Sequence, residues 1–547
     1  MRAAADAPHP GQSVIQHLGG AMETASLQVV VVLGLVVWAL TLLARRLGVA
    51  APIVLLLGGV PLAYVPWLAD VSLEPELVLF LFLPAILYTD SLSTSLREIR
   101  ANFRVVMLSA IGLVVATAGV VAAVGHALGL SWPVAWILGA VVAPTDATAV
   151  SAIAGRMPRR TLTILRAESL INDGTALVIL AVAIEAATGD APIGPGGVAW
   201  RFVVSYAGGV LAGLLIGWLA VQARRRIQDT ILATMVSVLT PFSAYLLAEE
   251  AGASGVVAVV VAGIYISQAG SLLITAQDRL RARAFWQVTT FLLNGTLFVL
   301  VGVELRHALG DLTSYSMPTA VRDALLVGAA VIGTRLAWSN TTPYVIRALD
   351  RRPQQRARRV GFRQRLPNAW AGFRGAVSLA AALSVPESVP GRDLIIVVTF
   401  GVILITLLVQ GLTLPAVLRW AHFSADNTDT ELALAEREAV DAALRVLPET
   451  AARLHVDPDI TTLVRAELNE RRNELTGATP APPPTADDVP RREQYERLHQ
   501  AIVAEKRATV VRLRNERQID DIVLRRVEAT LDAEELRLGG RSDYLDD

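Results

Sequence analysis

The sequence predicts an all-α polytopic membrane protein with about 13 transmembrane helices and a helical polar tail. Three observations lead to this class. Of the 547 residues, 53% are hydrophobic and 18% are charged, and the mean hydropathy of +0.49 is too high for an ordinary soluble protein. Apolar runs of about 20 residues recur, a length that crosses a hydrocarbon core of about 30 Å. Finally, residues 1–420 hold 31 basic and 22 acidic residues, whereas residues 421–547 hold 18 and 27.

These changes in composition divide the chain into three parts. Residues 1–24 are predicted to be a short, disordered extracytoplasmic tail, 25–420 the transmembrane domain, and 421–547 a cytoplasmic helical tail with a Pro-rich linker at 478–490. The apolar segments of the transmembrane part lie near residues 26–44, 48–66, 73–92, 105–128, 132–153, 163–187, 200–222, 229–248, 253–270, 286–305, 319–338, 367–388 and 393–419.

The arginines give the orientation of these segments. When the segments are threaded through the bilayer, the arginine-containing short loops fall on one side, with Arg306, Arg322 and Arg392 as mild exceptions: Arg45–Arg46, Arg97–Arg104, Arg156–Arg160, Arg224–Arg226, Arg279–Arg283 and Arg347–Arg365. Because positive loops stay in the cytoplasm, the N-terminus is predicted to be outside and the acidic tail inside. Lys506 is the only lysine, which suggests a GC-rich bacterial gene. We therefore expect the plasma (inner) membrane of a bacterium.

Two of the segments are interrupted at corresponding places. Segment 132–153 is the fifth of the first half and contains Pro144 and Asp146. Segment 367–388 is the fifth of the second half if a connector separates two halves of six, and it contains Gly372, Arg374 and Gly375. Gly- and Pro-broken helices at matching positions of two halves are typical of transporters with inverted repeats. The repeat rests on position and hydropathy, since no repeat of residues is evident.

The first interruption offers oxygen ligands. Pro144 cannot donate a backbone hydrogen bond and so frees a carbonyl group. Non-helical backbone at this depth is tolerated where it is buried in protein or lines a wet cavity. Freed carbonyls, the Thr145 hydroxyl and the Asp146 carboxylate together suit a small alkali cation. The alternative is a proline kink whose aspartate is satisfied by a neighbouring helix.

The sixth segment carries four polar residues within six positions, Glu168, Ser169, Asn172 and Asp173. A charged residue at the centre of a membrane helix costs about 3 kcal/mol on insertion scales, so two acids require an explanation. Ser169 and Asp173 stack on one helix face, and Glu168 and Asn172 stack on the adjacent face. We expect one face to bind an ion and the other to support it by hydrogen bonds, whereas the alternative is that all four residues only join helices.

Other ionisable residues suggest partners for this site. Arg374 lies well inside a broken segment and requires a carboxylate; Glu168 is the favoured partner, and Asp146 or Asp173 are alternatives. Asp90, near the cytoplasmic end of the third segment, is expected to be solvated. Asn294 is expected to join helices.

The chain resembles the monovalent cation:proton antiporter-1 family, which includes NhaP-type bacterial antiporters and eukaryotic sodium/hydrogen exchangers. Five stretches between about residues 75 and 385 carry the resemblance, in the order of the family: LFLPAILY, APTDATAVSAI, ESLINDGTALVI, FLLNGTLFVLVGVEL and WAGFRGAVSLAAALS. The resemblance implies a fold of 13 helices with a dimerisation region and a core domain that move against each other like an elevator, and hence a homodimer.

The resemblance also implies which residues act. The cation and proton, with Na⁺ as the transported ion, bind at Asp173, Asp146, Ser169 and Thr145, the last largely through its backbone oxygen. The supporting residues are Glu168 and Arg374 as a structural pair, together with Asn172 and Pro144. Family members with Asn before the key Asp, as Asn172 stands here before Asp173, are typically electroneutral.

The sequence thus predicts Na⁺/H⁺ antiport in which a proton and a cation compete for a buried carboxylate. K⁺/H⁺ or mixed Na⁺/K⁺/Li⁺ antiport is the alternative, and a passive cation channel using the same oxygens is less favoured. An enzyme is not expected, because no nucleophile–base pair is visible, cysteine is absent and the seven histidines lack ligand spacing. No cofactor and no nucleic-acid partner are expected; the partners are the lipid bilayer, the ions and a second copy.

The tail has helical periodicity but no recognisable motif. Residues 491–537 are predicted to form a long amphipathic region in which Tyr495, Leu498, Ile502, Val510 and Leu513 recur at helical spacing. A small helical bundle is the favoured interpretation, with dimer contact or pH regulation as alternatives.

Overall fold

The computed structural model of the chain describes residues 10–65, 73–146, 150, 157–189, 195–227, 229–273, 275–349, 361–422, 428–476 and 489–539. All regular elements within these ranges are helical, which confirms the predicted fold class. Most of the linker at 478–490 lies outside the described residues.

The thirteen predicted apolar segments coincide with fourteen helices, because segment 367–388 is divided into two, and one further short helix, Leu96–Ala101, lies between two segments. The transmembrane part contains α1 (Pro10–Leu47), α2 (Ala51–Leu62), α3 (Pro75–Ser93), α4 (Leu96–Ala101), α5 (Phe103–Ala127), α6 (Trp132–Val142), α7 (Arg159–Thr188), α8 (Pro195–Arg226), α9 (Thr230–Glu250), α10 (Gly255–Leu273), α11 (Ala276–Gly310), α12 (Met317–Leu349), α13 (Phe362–Trp370), α14 (Ala376–Leu383) and α15 (Arg392–Ala421).

Eight of these helices are long and apolar enough to cross a membrane, namely α1, α3, α5, α7, α8, α9, α11 and α15. The count of 13 crossings stays a prediction. At the N-terminus the expectation of a disordered tail over residues 1–24 is wrong for the backbone from Pro10 onward, because α1 begins there. Residues 1–9 lie outside the described part.

Two hydrophobic clusters organise the transmembrane part. One contains buried residues of α1, α2, α5, α6, α12, α14 and α15. The other is built chiefly from α8, α9 and α10. Helices α3, α7 and α11 contribute buried residues to both clusters, so they lie at the boundary between the two. The predicted ion-binding residues of α7 are therefore held between two packed layers.

Small residues let some of these helices approach closely. A Cβ atom added at Gly59 of α2 would lie 2.2 Å from the Val299 carbonyl oxygen of α11, and one at Gly302 would lie 2.2 Å from the Leu56 oxygen. Such glycines are the usual means by which membrane helices pack backbone against backbone. Substitution of either glycine would force α2 and α11 apart.

Two π-helical turns lie in the helices that surround the site. In α3 the turn covers Val78–Phe82 and is followed at once by Pro84, which supplies no backbone donor to the helix. In α15 the turn covers Thr406–Gln410. Turns of this kind are frequent at functional sites because they shift the direction of side chains.

The polar tail is a bundle of four helices, as favoured from the sequence: α16 (Thr428–Arg453), α17 (Pro458–Thr476), α18 (Val489–Asn515) and α19 (Asp521–Gly539). The predicted long helical region is divided by a turn in which Arg517 has a φ of 64°. The apolar residues predicted to recur line the bundle, with Leu498, Ile502, Val510 and Leu513 buried.

The tail is anchored to the transmembrane part by ion pairs and hydrogen bonds. The buried Asp532 of α19 accepts from Arg279 of α11 at 3.0 Å and from Arg507 of α18 at 3.0 Å. At the start of α19, Asp521 accepts from the Ser95 hydroxyl at 3.1 Å. Arg525 donates to the Ser93 carbonyl oxygen at 2.6 Å. Helix α19 thus contacts the ends of both α3 and α11.

Candidate cation site

The two interrupted segments meet at their breaks. Helix α6 ends at Val142, and the chain runs through Pro144 without regular structure. The second segment is non-helical from residue 371 to 375, between α13 and α14. The two breaks are joined directly, because the Asp146 amide donates to the Phe373 carbonyl oxygen at 2.9 Å. The sequence prediction of two interrupted helices is therefore confirmed, and the structure places one against the other.

Arg374 occupies the carboxyl end of α6. Its Nε donates to the Val142 carbonyl at 2.9 Å, its Nη2 to the Ala143 carbonyl at 3.4 Å, and its Nη1 to the Gly372 carbonyl. The side chain is only 1% exposed. A helix end leaves carbonyls without partners and carries partial negative charge, and both are satisfied by a guanidinium. Arg374 therefore closes the broken end of α6.

The predicted ion pair between Glu168 and Arg374 is wrong. The carboxylate of Glu168 forms its ion pair with Nη1 of Arg335 from α12, and both side chains are 2% exposed. Arg335 also donates to the Asn368 carbonyl oxygen at 3.3 Å. The backbone carbonyls of the two breaks already take the donors of Arg374, and Arg335 reaches Glu168 from another helix. Sequence reasoning missed Arg335, although an arginine inside an apolar segment is itself a signal.

Helix α7 holds the first break by two hydrogen bonds to Thr145. The Ser169 hydroxyl donates to the Thr145 carbonyl oxygen at 2.7 Å, and Nδ2 of Asn172 donates to the Thr145 hydroxyl at 2.7 Å. A carbonyl oxygen has two lone pairs, so that of Thr145 keeps one free for another partner. The two bonds fix the break against the helix that carries the remaining acids.

A cavity of about 40 Å³ lies where α7 meets the breaks. A cavity needs about 10–15 Å³ of space measured with a water-sized probe to hold one water molecule, so this cavity has room for a small ion or a few waters. Its polar lining includes Thr145, Asp146, Ser169 and Asp173 together with Pro144. All four residues predicted to bind the ion therefore lie around one small volume. Glu168 and Arg374 are not among the lining residues, and neither is Asn172.

Asp173 is the most buried of the three acids that line the cavity. It is 5% exposed and lines the cavity. Within the described residues its carboxylate accepts no protein hydrogen bond, in contrast to Glu168. Taking a carboxylate out of water without a partner is costly, so it is stabilised by either a proton or a bound cation.

Asp90 and Asn294 have positions that differ from the expectation. Asp90 lines the same cavity as Asp146 and Asp173, so the expectation of a residue solvated at the interface is wrong. The three carboxylates lie within electrostatic range of one another. Asn294 of α11 also lines the cavity, so its amide faces the acids in addition to any role between helices. Asp90 lies six residues after Pro84 on α3, and hydropathy alone did not indicate that this part of the helix lines the cavity.

Gly375 leaves room for one of these carboxylates. A Cβ atom at this position would lie 2.1 Å from Oδ2 of Asp146 and 2.7 Å from its Cγ. Gly375 immediately precedes α14, whose amino end carries partial positive charge. The missing side chain thus lets the Asp146 carboxylate approach the amino end of a half-helix.

We expect Gly375→Ala to reduce transport and to lower stability. The new methyl group meets the whole Asp146 side chain, with the Cβ of Asp146 at 2.8 Å, so rotation of the carboxylate alone does not relieve the contact and the first break must shift as well. We expect a fall of at least about tenfold in exchange rate, corresponding to about 1.4 kcal/mol, together with a lower melting temperature. Gly333→Ala is the matched control, because nothing lies within 4 Å of the Cβ it would add. A wild-type rate in Gly375→Ala would contradict the assigned contact.

The arrangement has the chemistry of a site for a hard monovalent cation. It combines carboxylates with a hydroxyl and a backbone carbonyl, and oxygen ligands of this kind suit hard cations better than soft ones. The site lies among apolar residues of α3, α11 and α14: Val78, Leu83, Ile86, Leu87, Leu297, Phe298, Ala376 and Val377. An ion there is sheltered from bulk water, and its charge is met by the acids.

Comparison with known proteins assigns the chain to a family. Residues 31–420 match the model of the transmembrane sodium/hydrogen exchangers. An uncharacterised Na⁺/H⁺ exchanger of Mycobacterium tuberculosis is 46% identical, over 91% of this chain and 93% of that protein. The Na⁺/H⁺ antiporter ApNhaP of Aphanothece halophytica is 30% identical, over 72% of this chain and 74% of its own length.

A solved structure supports the same fold. The sodium proton antiporter MjNhaP1 from Methanocaldococcus jannaschii aligns with a TM-score of 0.57 at 18% identity, covering 74% of this chain and all of that one. The resemblance carried by the five stretches is thereby confirmed. The chain belongs to the sodium/hydrogen exchanger family.

Proposed function

We propose that the protein is a secondary active antiporter that exchanges Na⁺ for a proton at the cavity formed by α7 and the two breaks. One observation carries the proposal. The carboxylate of Asp173 is buried, has no hydrogen-bond donor among the described protein groups and faces a cavity of about 40 Å³ lined by further oxygen atoms. An intramembrane acid without a protein partner is by default a site for an ion or a proton.

Exchange follows from competition for this carboxylate. A proton and a Na⁺ cannot both satisfy Asp173, so binding of one displaces the other. Asp146, Ser169 and the Thr145 carbonyl contribute the remaining oxygens. If only the loaded site crosses the membrane by alternating access, the gradient of one ion drives the other, and no further source of energy or cofactor is required.

Electroneutral exchange is part of the proposal. Asn172 precedes Asp173, and its amide donates to the Thr145 hydroxyl instead of adding a carboxylate to the cavity. The site then gains one positive charge from either ion and carries the same net charge in both loaded forms. One Na⁺ for one proton is the stoichiometry that fits this arrangement.

Broader ion selectivity is the second candidate. A sodium, potassium, lithium and rubidium/H⁺ antiporter of Bacillus subtilis is 29% identical to this chain, over 78% of it and 66% of that protein. We favour Na⁺, because the cavity is small and one of its carboxylates, that of Asp146, is held close against Gly375. A passive channel is less well supported, since enclosed acids suit alternate binding better than permeation.

The proposed setting is a bacterial plasma membrane with the N-terminus outside and the tail in the cytoplasm. The tail contacts Ser95, close to the loop of Arg97–Arg104, and Arg279 of a second arginine-containing loop. Both contacts place the tail on the same side of the membrane as the arginine-containing segments, which supports the orientation predicted from the positive residues. We also propose a homodimer, as the family resemblance implies; α1 and α8 are the least buried of the eight long apolar helices and leave surface for a second copy.

The decisive experiment for the proposed function is dissipation of a preset pH gradient in everted vesicles. Addition of NaCl is expected to collapse the gradient, LiCl to do so as well, and KCl to be weaker. If exchange is electroneutral, clamping the membrane potential with an ionophore should leave the rate of exchange unchanged. Equal responses to Na⁺ and K⁺ would support the mixed antiporter. No response to any of the three salts would contradict cation/proton exchange.

A further inference from the structure

A second, larger cavity lies between the tail and the transmembrane part. Its volume is about 430 Å³, and its walls come from α3, α8, α9, α10 and α11 on one side and from α19 on the other. Helix α3 separates it from the cation site: Thr89 lines the larger cavity, while the next residue, Asp90, lines the smaller one. The tail is thus one wall of a compartment that also touches the helix carrying Asp90.

The larger cavity contains an arginine whose charge is not matched. Arg224, in the last turn of α8, lines it with buried Nε and Nη2 atoms that have no hydrogen-bond partner within the described residues. A buried guanidinium atom without an acceptor loses its hydration and gains nothing in return. The buried carboxylate of Asp278 acts on Arg224 electrostatically, but the two form no ion pair within 4.0 Å in the described part of the chain. This is the environment in which an arginine binds an external anion.

Three other arginines surround the same space. Arg283 lines it and is exposed to solvent. Arg279 and Arg525 also line it, although they are held by Asp532 and by the Ser93 carbonyl. Burial lowers the pKa of Arg525, and an anion nearby would offset that loss of solvation.

The lining is cationic on balance. Two acids, Asp521 and Glu528, face the four arginines. Because Asp532, behind the lining, pairs with Arg279, the four arginines face three acids in all, and one singly charged phosphate group would balance the remaining positive charge. Arginine is the usual residue for phosphate recognition because its planar donors match phosphate oxygens.

Part of the lining is apolar. Leu92, Ile266, Trp286 and Leu524 line the cavity together with the ring of Tyr88. A ligand that filled the space would therefore need an apolar or aromatic body as well as an anionic group. A cavity of this kind, mostly apolar with a few convergent polar groups, is typical of small-molecule sites.

We propose that the cavity between the tail and the transmembrane part binds a phosphate-bearing amphiphile, with the phosphate on Arg224 and Arg283 and the apolar body against Trp286 and Leu524. The ligand is either a soluble nucleotide-like phosphate or the headgroup and upper chain of an anionic phospholipid. Since it would contact both α19 and α3, it stabilises the docked tail and acts on the helix that carries Asp90. Binding itself does not depend on the proposed exchange activity.

The test uses purified full-length protein stripped of lipid, with binding followed by thermal stabilisation and calorimetry. The probes are adenosine monophosphate and phosphatidylglycerol, each compared with its counterpart without phosphate, adenosine and diacylglycerol. We expect saturable binding of one phosphate probe, at least about tenfold tighter than its counterpart. Binding of adenosine monophosphate identifies a soluble source, and binding of phosphatidylglycerol identifies the membrane.

Variants locate the site. Arg224→Gln should weaken binding at least about tenfold, whereas Arg226→Gln, an exposed arginine of the same turn, should change it less than about twofold. If Arg224→Gln does not fold, Arg283→Gln and its exposed neighbour Arg281→Gln form the second matched pair. Equal weakening by the test and control variants would overturn the proposal as nonspecific attraction. Failure of both phosphate probes to bind would overturn it as well, whatever the exchange activity.

Discussion

We expect replacement of Asp173 by asparagine to lower Na⁺/H⁺ exchange to the rate of liposomes without protein. Asparagine has nearly the same shape as aspartate, but it neither takes up a proton at physiological pH nor offers a negative charge to a cation. Because Asp173 accepts no hydrogen bond from the described protein groups, the substitution breaks no internal bond. It also removes a buried charge, so the variant should fold and be at least as stable as the wild type.

The comparison requires a control that removes an acid elsewhere. Glu76→Gln changes carboxylate to amide at an exposed position of α3. In proteoliposomes with equal amounts of folded protein, this control should exchange at the wild-type rate. Substantial exchange by Asp173→Asn would show that the essential acid is another residue, with Asp146 and Asp90 as the remaining carboxylates of the cavity.

The second large effect concerns stability. Glu168→Gln leaves Arg335 buried and charged without its carboxylate, and both side chains of the pair are 2% exposed. Breaking a buried ion pair by removing one partner costs about 3–5 kcal/mol. Total stabilities of folded proteins are only about 5–15 kcal/mol. We therefore expect Glu168→Gln, and likewise Arg335→Gln, to lower the melting temperature sharply and to reduce the yield of folded protein.

A double variant measures the contribution of the ion pair to stability separately from the contributions of its two residues. Glu168→Gln with Arg335→Gln removes both charges and should recover part of the lost stability, because two amides are left to bond to each other. Arg419→Gln, an exposed arginine of α15, is the control and should be close to wild type. Thermal unfolding in detergent measures all four. A single variant as stable as wild type would show that the ion pair contributes little.

Much of this site could be predicted from the sequence because its signals are local. Pro144 next to Asp146 in an apolar run, and Ser169 four residues before Asp173, show a break and a polar helix face without knowledge of the fold. The same holds for the second break, where glycines flank Arg374. These features arise from backbone sterics and helical spacing, which act over a few residues.

The contacts that were missed are those between distant segments. Glu168 was assigned to Arg374, yet it pairs with Arg335, which is 167 residues away in sequence. The choice between two buried arginines depends on which of them the tertiary packing brings to α7, and a hydropathy pattern carries no such information. The inward position of Asp90 and the contact of Asp532 with Arg279 depend in the same way on packing. Residue types were predictable here, and their partners were not.

The central claim is that a proton and a Na⁺ compete for Asp173, and proton release measures this most directly. Purified protein in weakly buffered solution with a pH indicator is mixed with NaCl, and choline chloride serves as the control salt. The account predicts that Na⁺ releases up to one proton per protein, that choline releases none, and that Asp173→Asn releases none with either salt. Na⁺-dependent thermal stabilisation of the wild type without proton release would contradict the account, and so would equal release from Asp173→Asn.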